Sequence, residues 1–168
     1  MAGSGARSYA YTVRQALRGD AAAMAAVRAA AAATVADHAG DVPNRADLGQ
    51  LIEPHAGRVK VAEQDGTLIG YVALQRAAHP AVAARAAVQL WQLYVEPAFH
   101  GHGVAAALVA AALAQARRDG YDSVWLGVAP ANARAAAFYR KQGFTSLGLH
   151  EVGGTAHAHQ DLVMVRAL

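Results

Sequence analysis

Few folds accommodate what lies between residues 88 and 128. Val88 to Val95 reads as a strongly apolar strand, closed by Glu96-Pro97. Two glycines, Gly101 and Gly103, open a helix that runs to Arg118, in which Val104, Leu108, Val109 and Leu113 cover more than one face. A helix apolar over so wide an arc has to be buried between a sheet and another layer. Asp122 to Val128 then returns as a strand, polar past its first residue only at Ser123, which marks it as central. Strand, helix and strand in this order form a right-handed crossover, and therefore a parallel pair.

The other segments build outward from that pair. Tyr9 to Gln15 alternates as a first strand. Asp20 is placed to cap an alanine-rich helix from Ala21 to about His38, ended by Gly40 and Pro43. A short helix is expected from Arg45 to about His55. Arg58 to Glu63 and Thr67 to Gln75 flank the hairpin turn Gln64-Asp65-Gly66. Asn132 to Gln142 reads as a helix with Gly143 as its C-terminal stop. Phe144 to His150 and Asp161 to Arg166 complete the strands, joined through Gly153-Gly154. The predicted class is α+β: a mixed, mostly antiparallel twisted sheet with helices on both faces and a central parallel strand pair. One domain is expected over residues 9–168, with residues 1–8 as a disordered tail.

Composition narrows the function classes. Hydrophobic residues make up 55% of the 168, but roughly a quarter of the chain is alanine. No apolar run reaches the roughly 18 residues of a membrane span, so no membrane partner is expected. The net charge of +3 comes from scattered arginines, without the basic stripe and interleaved aromatics of a nucleic-acid binder. There is no cysteine, which excludes a disulfide framework, a thiolate metal site and a cysteine nucleophile, and fits a cytoplasmic protein.

The chemistry is concentrated in Leu93-Tyr94-Val95-Glu96-Pro97-Ala98-Phe99-His100-Gly101-His102-Gly103-Val104-Ala105. The N–H groups of His102, Gly103, Val104 and Ala105 are predicted to open toward a ligand at the helix start, where the helix dipole favours an anion such as a diphosphate. Gly101, Gly103 and Ala106 also fit a dinucleotide fingerprint, but that needs an acid at the end of the next strand. The strand ends Leu126-Gly127-Val128-Ala129, with no acid.

Together with a second motif, Asn132-Ala133-Arg134-Ala135-Ala136-Ala137-Phe138-Tyr139 followed by Gly143-Phe144, this loop resembles the GNAT superfamily of acyl-CoA N-acetyltransferases. The motifs occur in the family's order and spacing. One departure is His100, where the family loop usually begins with Gln or Arg. The resemblance implies a direct transfer of acetyl from acetyl-CoA, a co-substrate, to a primary amine on a small molecule or a peptide. It implies that the pantetheine arm pairs along Leu93, Tyr94 and Val95, and that the N–H near Val95 holds the developing oxyanion. The diphosphate would lie on His100, Gly101, His102, Gly103, Val104 and Ala105. Asn132 would bond the pantetheine, with Ala135 and Phe138 beside it, and Tyr139 would protonate the leaving thiolate. Adjacent helical residues point about 100° apart, so Phe138 is expected in the core and Tyr139 in the cleft. A homodimer is compatible with the resemblance, and so is a non-catalytic acyl-CoA-binding module of the same fold.

The general base stays open. Positions where some family members carry a glutamate hold Gln89 and Gly127 by alignment from the two motifs, which leaves water, His79 or His150. Asp37, His38 and Asp41 fall in a loop that borders the acceptor site in the family. His157-x-His159, with Glu151 and Asp161 near, has no spacing that marks a metal site, and no metal is expected. Trp91 and Trp125 read as core.

Overall fold

The computed structural model describes residues 10–33, 52, 57–153 and 158–168. Its strands are β1 (Thr12–Gln15), β2 (Val59–Gln64), β3 (Thr67–Gln75), β4 (Ala87–Val95), β5 (Ser123–Val128), β6 (Thr145–Val152) and β7 (His159–Ala167). Its helices are α1 (Ala21–Ala33), α2 (Val104–Arg118) and α3 (Ala133–Lys141). The strands form one sheet in the order β1-β2-β3-β4-β5-β7-β6. Every neighbouring pair is antiparallel except β4 and β5, which are parallel as the crossover requires.

Strand alternation divides the apolar residues between two cores. On one face Val72, Leu74, Val88, Leu90, Val124 and Leu126 pack with Leu108, Val109 and Leu113 of α2 and Phe144 beyond α3. On the other, Val59, Val61, Tyr71 and Ala73 pack with Met24 and Val27 of α1. Helix α2 approaches β3 closely at Gly70, where an added Cβ would lie 3.1 Å from Leu108 Cδ1 and 3.0 Å from the Tyr94 carbonyl oxygen.

The decisive feature is how little of β4 pairs with β5. Only Ala87↔Ser123, Val88↔Val124 and Gln89↔Trp125 are in register. Across β3, Ala73 faces Gln92 and Leu74 faces Leu90, so Trp91 is an extra residue in β4. A bulge of this kind bends its strand and increases the local twist. Beyond it, the end of β4 stays with β3, while β5 stays with β7 over six pairs. The sheet therefore opens between the two parallel strands.

Several boundaries moved. Strand β6 continues to Val152 and β7 begins at His159, because the two pair through Val152↔His159. Asp20 does not reach forward to cap α1. It ends a 3₁₀ turn, Arg18–Asp20, and its carboxylate accepts the Leu17 N–H at 2.7 Å and two bonds from the Arg14 guanidinium at 2.7 and 3.0 Å. Those Arg14 bonds hold the Asp20 carboxyl below the usual carboxylate range despite its burial. Asp20→Ala should cost about 1–3 kcal/mol, measured by urea denaturation. A depressed folded pKa stabilises above the unfolded value, so the wild-type advantage should vanish as pH falls below about 3.9. The expected tail, the helix from Arg45 to His55 (apart from Ile52, which is helical and buried), Asp37, His38, Asp41, Gly154 and His157 lie outside the described residues.

Candidate active site

A cleft of about 1080 Å³ occupies the gap where β4 and β5 part. Its floor is backbone. The Glu96 N–H donates to the Ile69 carbonyl at 2.8 Å, so Glu96 turns its polar groups toward β3. Antiparallel pairing alternates, which sends those of Leu93 and Val95 the other way, into the gap. The Val95 carbonyl accepts from His100 Nε2 at 3.1 Å. His100 thus braces the strand end against its loop, and the Val95 N–H faces the opening.

The glycine loop at the end of β4 differs from expectation in one donor. The His102 N–H donates to the Phe99 carbonyl at 3.3 Å, as part of the turn that follows Pro97–Phe99. The helical ladder of α2 begins with Ala107 donating to Gly103 at 3.0 Å. The N–H groups left without a helical partner are those of Gly103, Val104, Ala105 and Ala106. Gly101 and Gly103 both sit at φ +81°, a conformation that costs a side chain strain. Both are exposed, so the helix start is accessible.

Helix α3 forms the wall on the α2 side. The Asn132 side-chain oxygen accepts the Ala135 N–H at 3.0 Å, which caps the helix and leaves the Asn132 amide group for the cleft. Asn132, Ala135 and Tyr139 all line the cleft. Phe138 and Tyr139 both rest partly on the core, with ring centroids 5.1 Å apart, and Phe144 lies 5.6 Å from Tyr139. Phe138 is not among the cleft residues. No side chain among the described residues takes the Tyr139 hydroxyl. Burial, and then the nearby Tyr94, push Tyr139 above the ordinary phenol range, so it holds its proton at neutral pH. Tyr94 is raised by burial as well, partly offset by the Arg28 charge.

The opposite wall belongs to the α1 face of the sheet. Trp125 is 3% exposed, as expected of a core residue, yet it also borders the cleft and donates its indole N–H to the Ala77 carbonyl at 2.7 Å. His79 lies 5.0 Å from the Trp125 ring and 5.8 Å from that of His150. Its Nδ1 accepts the Ala81 N–H at 3.2 Å and its Nε2 donates to the Glu151 carbonyl at 2.9 Å. Both nitrogens are thereby occupied, so His79 is a poor base. Gln89 accepts a 2.7 Å bond from Gln75. Asp161, 14% exposed at its side chain, sits over Gly127 and pairs with His159 at 3.3 Å. In the sequence alone Asp161 stands out only as a possible metal ligand beside His159. Its position depends on the β5–β7 pairing, which no local signal reveals.

The family model of the GNAT acetyltransferases matches residues 12–144. The chain belongs to this acetyltransferase family. An uncharacterized N-acetyltransferase of Mycobacterium tuberculosis is 41% identical over 110 residues, covering 66% of this chain and 67% of that protein. Two solved structures share the fold. The ribosomal-protein-alanine N-acetyltransferase of Brucella melitensis superposes with TM-score 0.75 at 24% identity, over 94% of this chain and 99% of that one. The Salmonella typhimurium protein yncA, solved with its cofactor acetyl-CoA, gives 0.74 at 23% identity, over 95% and 94%. As a GNAT member the chain is an acetyl-CoA-dependent acyltransferase. Among the described residues no helix is long and apolar enough to cross a membrane.

Proposed function

We propose that this protein transfers acetyl from acetyl-CoA directly to a primary amine of a small molecule or peptide, in a ternary complex in the cytoplasm, with residues 9–168 as the working domain. One observation carries the reading. The bulged end of β4 turns the Leu93 backbone into a cleft that also receives Asn132 and Tyr139, with Val95 facing the same way just past the cleft lining and the open N-terminus of α2 following β4 through the short glycine loop. Acetyl-CoA supplies the activated acyl group. The Leu93 N–H and carbonyl and the Val95 N–H are positioned to pair an extended pantetheine as an added strand would be paired. The Val95 N–H is preorganised to hold negative charge on the thioester oxygen. Val104, Ala105 and Ala106 offer their N–H groups to the diphosphate, with the dipole of a fifteen-residue helix behind them. The Asn132 amide is left to bond the arm, beside Ala135. Tyr139 holds a proton and, among the described residues, has no side-chain partner for it, which suits the acid that protonates the departing thiolate. The side of the cleft opposite Tyr139, lined by His79, Trp125 and Gly127 on the α1 face, is left for the amine.

Two measurements test this. Acetyl-CoA should raise the melting temperature, and thiol release should appear with some member of a panel of polyamines, amino acids and peptides with free N-termini. Stabilisation without thiol release would point to an acyl-CoA-binding module. Failure of acetyl-CoA to stabilise the protein would overturn the reading.

A further inference from the structure

A side chain at position 127 would compete with Asp161 for the same space. A Cβ built on Gly127 would lie 2.6 Å from Asp161 Oδ2 and 3.2 Å from Asp161 Cβ, so the Asp161 side chain could not stay where it is. Gly127 is the β5 position where the family resemblance would put a base. The carboxylate missing from β5 is therefore replaced in space by one from β7. The fold produces this through register: Gly127 faces Val163 and Val128 faces Leu162, which brings Asp161 to the end of the ladder beside the cleft. Val124, Leu126 and Val128 of β5 point into the core under α2, so by strand alternation Trp125 and Gly127 point to the α1 face. Asp161 lies over Gly127 and shares that face, the one assigned above to the amine.

From this we infer that Asp161 is the general base of the acetyl transfer, with His159 as its outlet for protons. The inference rests on the acetyltransferase reading above. Both residues line the cleft. The Asp161 side chain is 14% exposed and that of His159 55%, at 3.3 Å, so the pair runs from the cleft wall to solvent. Among the described residues the other titratable groups on this wall are His79, whose two nitrogens are occupied, His150, whose Nε2 donates to the Leu147 carbonyl at 2.9 Å, and Glu151, which is exposed. An acceptor ammonium loses one proton to the Asp161 carboxylate, which passes it through His159 to solvent. The neutral amine nitrogen then bonds to the thioester carbon and the C–S bond breaks. The sulfur takes the Tyr139 proton, and the second proton of the nitrogen returns to Tyr139 through water. The sum is one amide, one thiol and one proton released.

Asp161→Asn keeps the shape of the side chain and removes the base. With the best amine of the panel at pH 7, kcat should fall about 100-fold or more, while acetyl-CoA still raises the melting temperature as in wild type. The deficit should shrink at high pH, where the amine is already neutral. Gly127→Glu combined with Asp161→Gly returns a carboxylate to β5 in the space just vacated, and should recover at least tenfold over Asp161→Gly alone. A kcat for Asp161→Asn within twofold of wild type, or a deficit unchanged by pH together with no recovery in the double variant, would overturn Asp161 as base and leave the acetyltransferase reading standing. A wild-type protein that binds acetyl-CoA but releases no thiol with any amine would overturn both.

Discussion

Tyr139→Phe should lower kcat by about one to three orders of magnitude with little change in the affinity for acetyl-CoA. The substitution removes one oxygen and nothing else. The ring keeps its edge contacts with Phe138 and Phe144, at 5.1 and 5.6 Å, so α3 should stay seated on the sheet. No side chain among the described residues relies on the hydroxyl, so no buried group is left unpaired and the melting temperature should hold. A side chain that served only packing would leave kcat where it was. The wild-type pH profile offers a second reading of the same group. Tyr139 works in its protonated form, and its pKa is raised by burial and by Tyr94. Activity that depends on it should persist above the phenol value of about 10, until the protein itself fails or another group titrates. A kcat for Tyr139→Phe within twofold of wild type would dismiss it as the acid.

Gly103→Asp should weaken acetyl-CoA binding by about 10- to 100-fold, the range for a charge opposed at a helix N-terminus combined with lost donors. Gly103 sits at φ +81° immediately before Val104, and an added Cβ would meet only the Tyr11 hydroxyl, at 3.5 Å. Asp tolerates the left-handed region better than most residues, so the fold should survive. Its carboxylate would stand at the open N–H groups of Val104, Ala105 and Ala106, where the diphosphate is proposed to lie. The control is S-acetylpantetheine, which lacks the diphosphate. Its use as a donor should be unaffected, and kcat at saturating acetyl-CoA should change little. Equal losses with both donors would show that the substitution disturbs the cleft rather than the phosphate site.

Much of the fold was legible because it is written in short-range patterns. The apolar run of β4, the stop at Glu96-Pro97, the glycine pair and the wide apolar arc of α2 dictate a crossover, and all seven strands lie within a few residues of their expected places. The motif around Asn132 and Tyr139 folds as the helix beside the gap, where Tyr139 lines the cleft and Phe138 does not, although both rings are half-buried. The boundaries at Val152 and His159 were missed because edge pairing extends a polar segment that has no apolar alternation. The role of Asp20 was missed because Arg14 competes for its carboxylate, six residues back in the chain.

By itself the sequence determined the elements, the order of their connection and the glycine-dependent start of α2, since strand alternation, helical periodicity and positive φ each act over a few residues. Tertiary structure alone decided where the sheet parts, which peptide groups face the gap, that the His102 N–H is already taken, and that Asp161 fills the space over Gly127. Each of those depends on pairing between strands or on a turn closed by a distant carbonyl. The bulge at Trp91 and the β5–β7 register are properties of two chains of hydrogen bonds meeting, and no local window contains them.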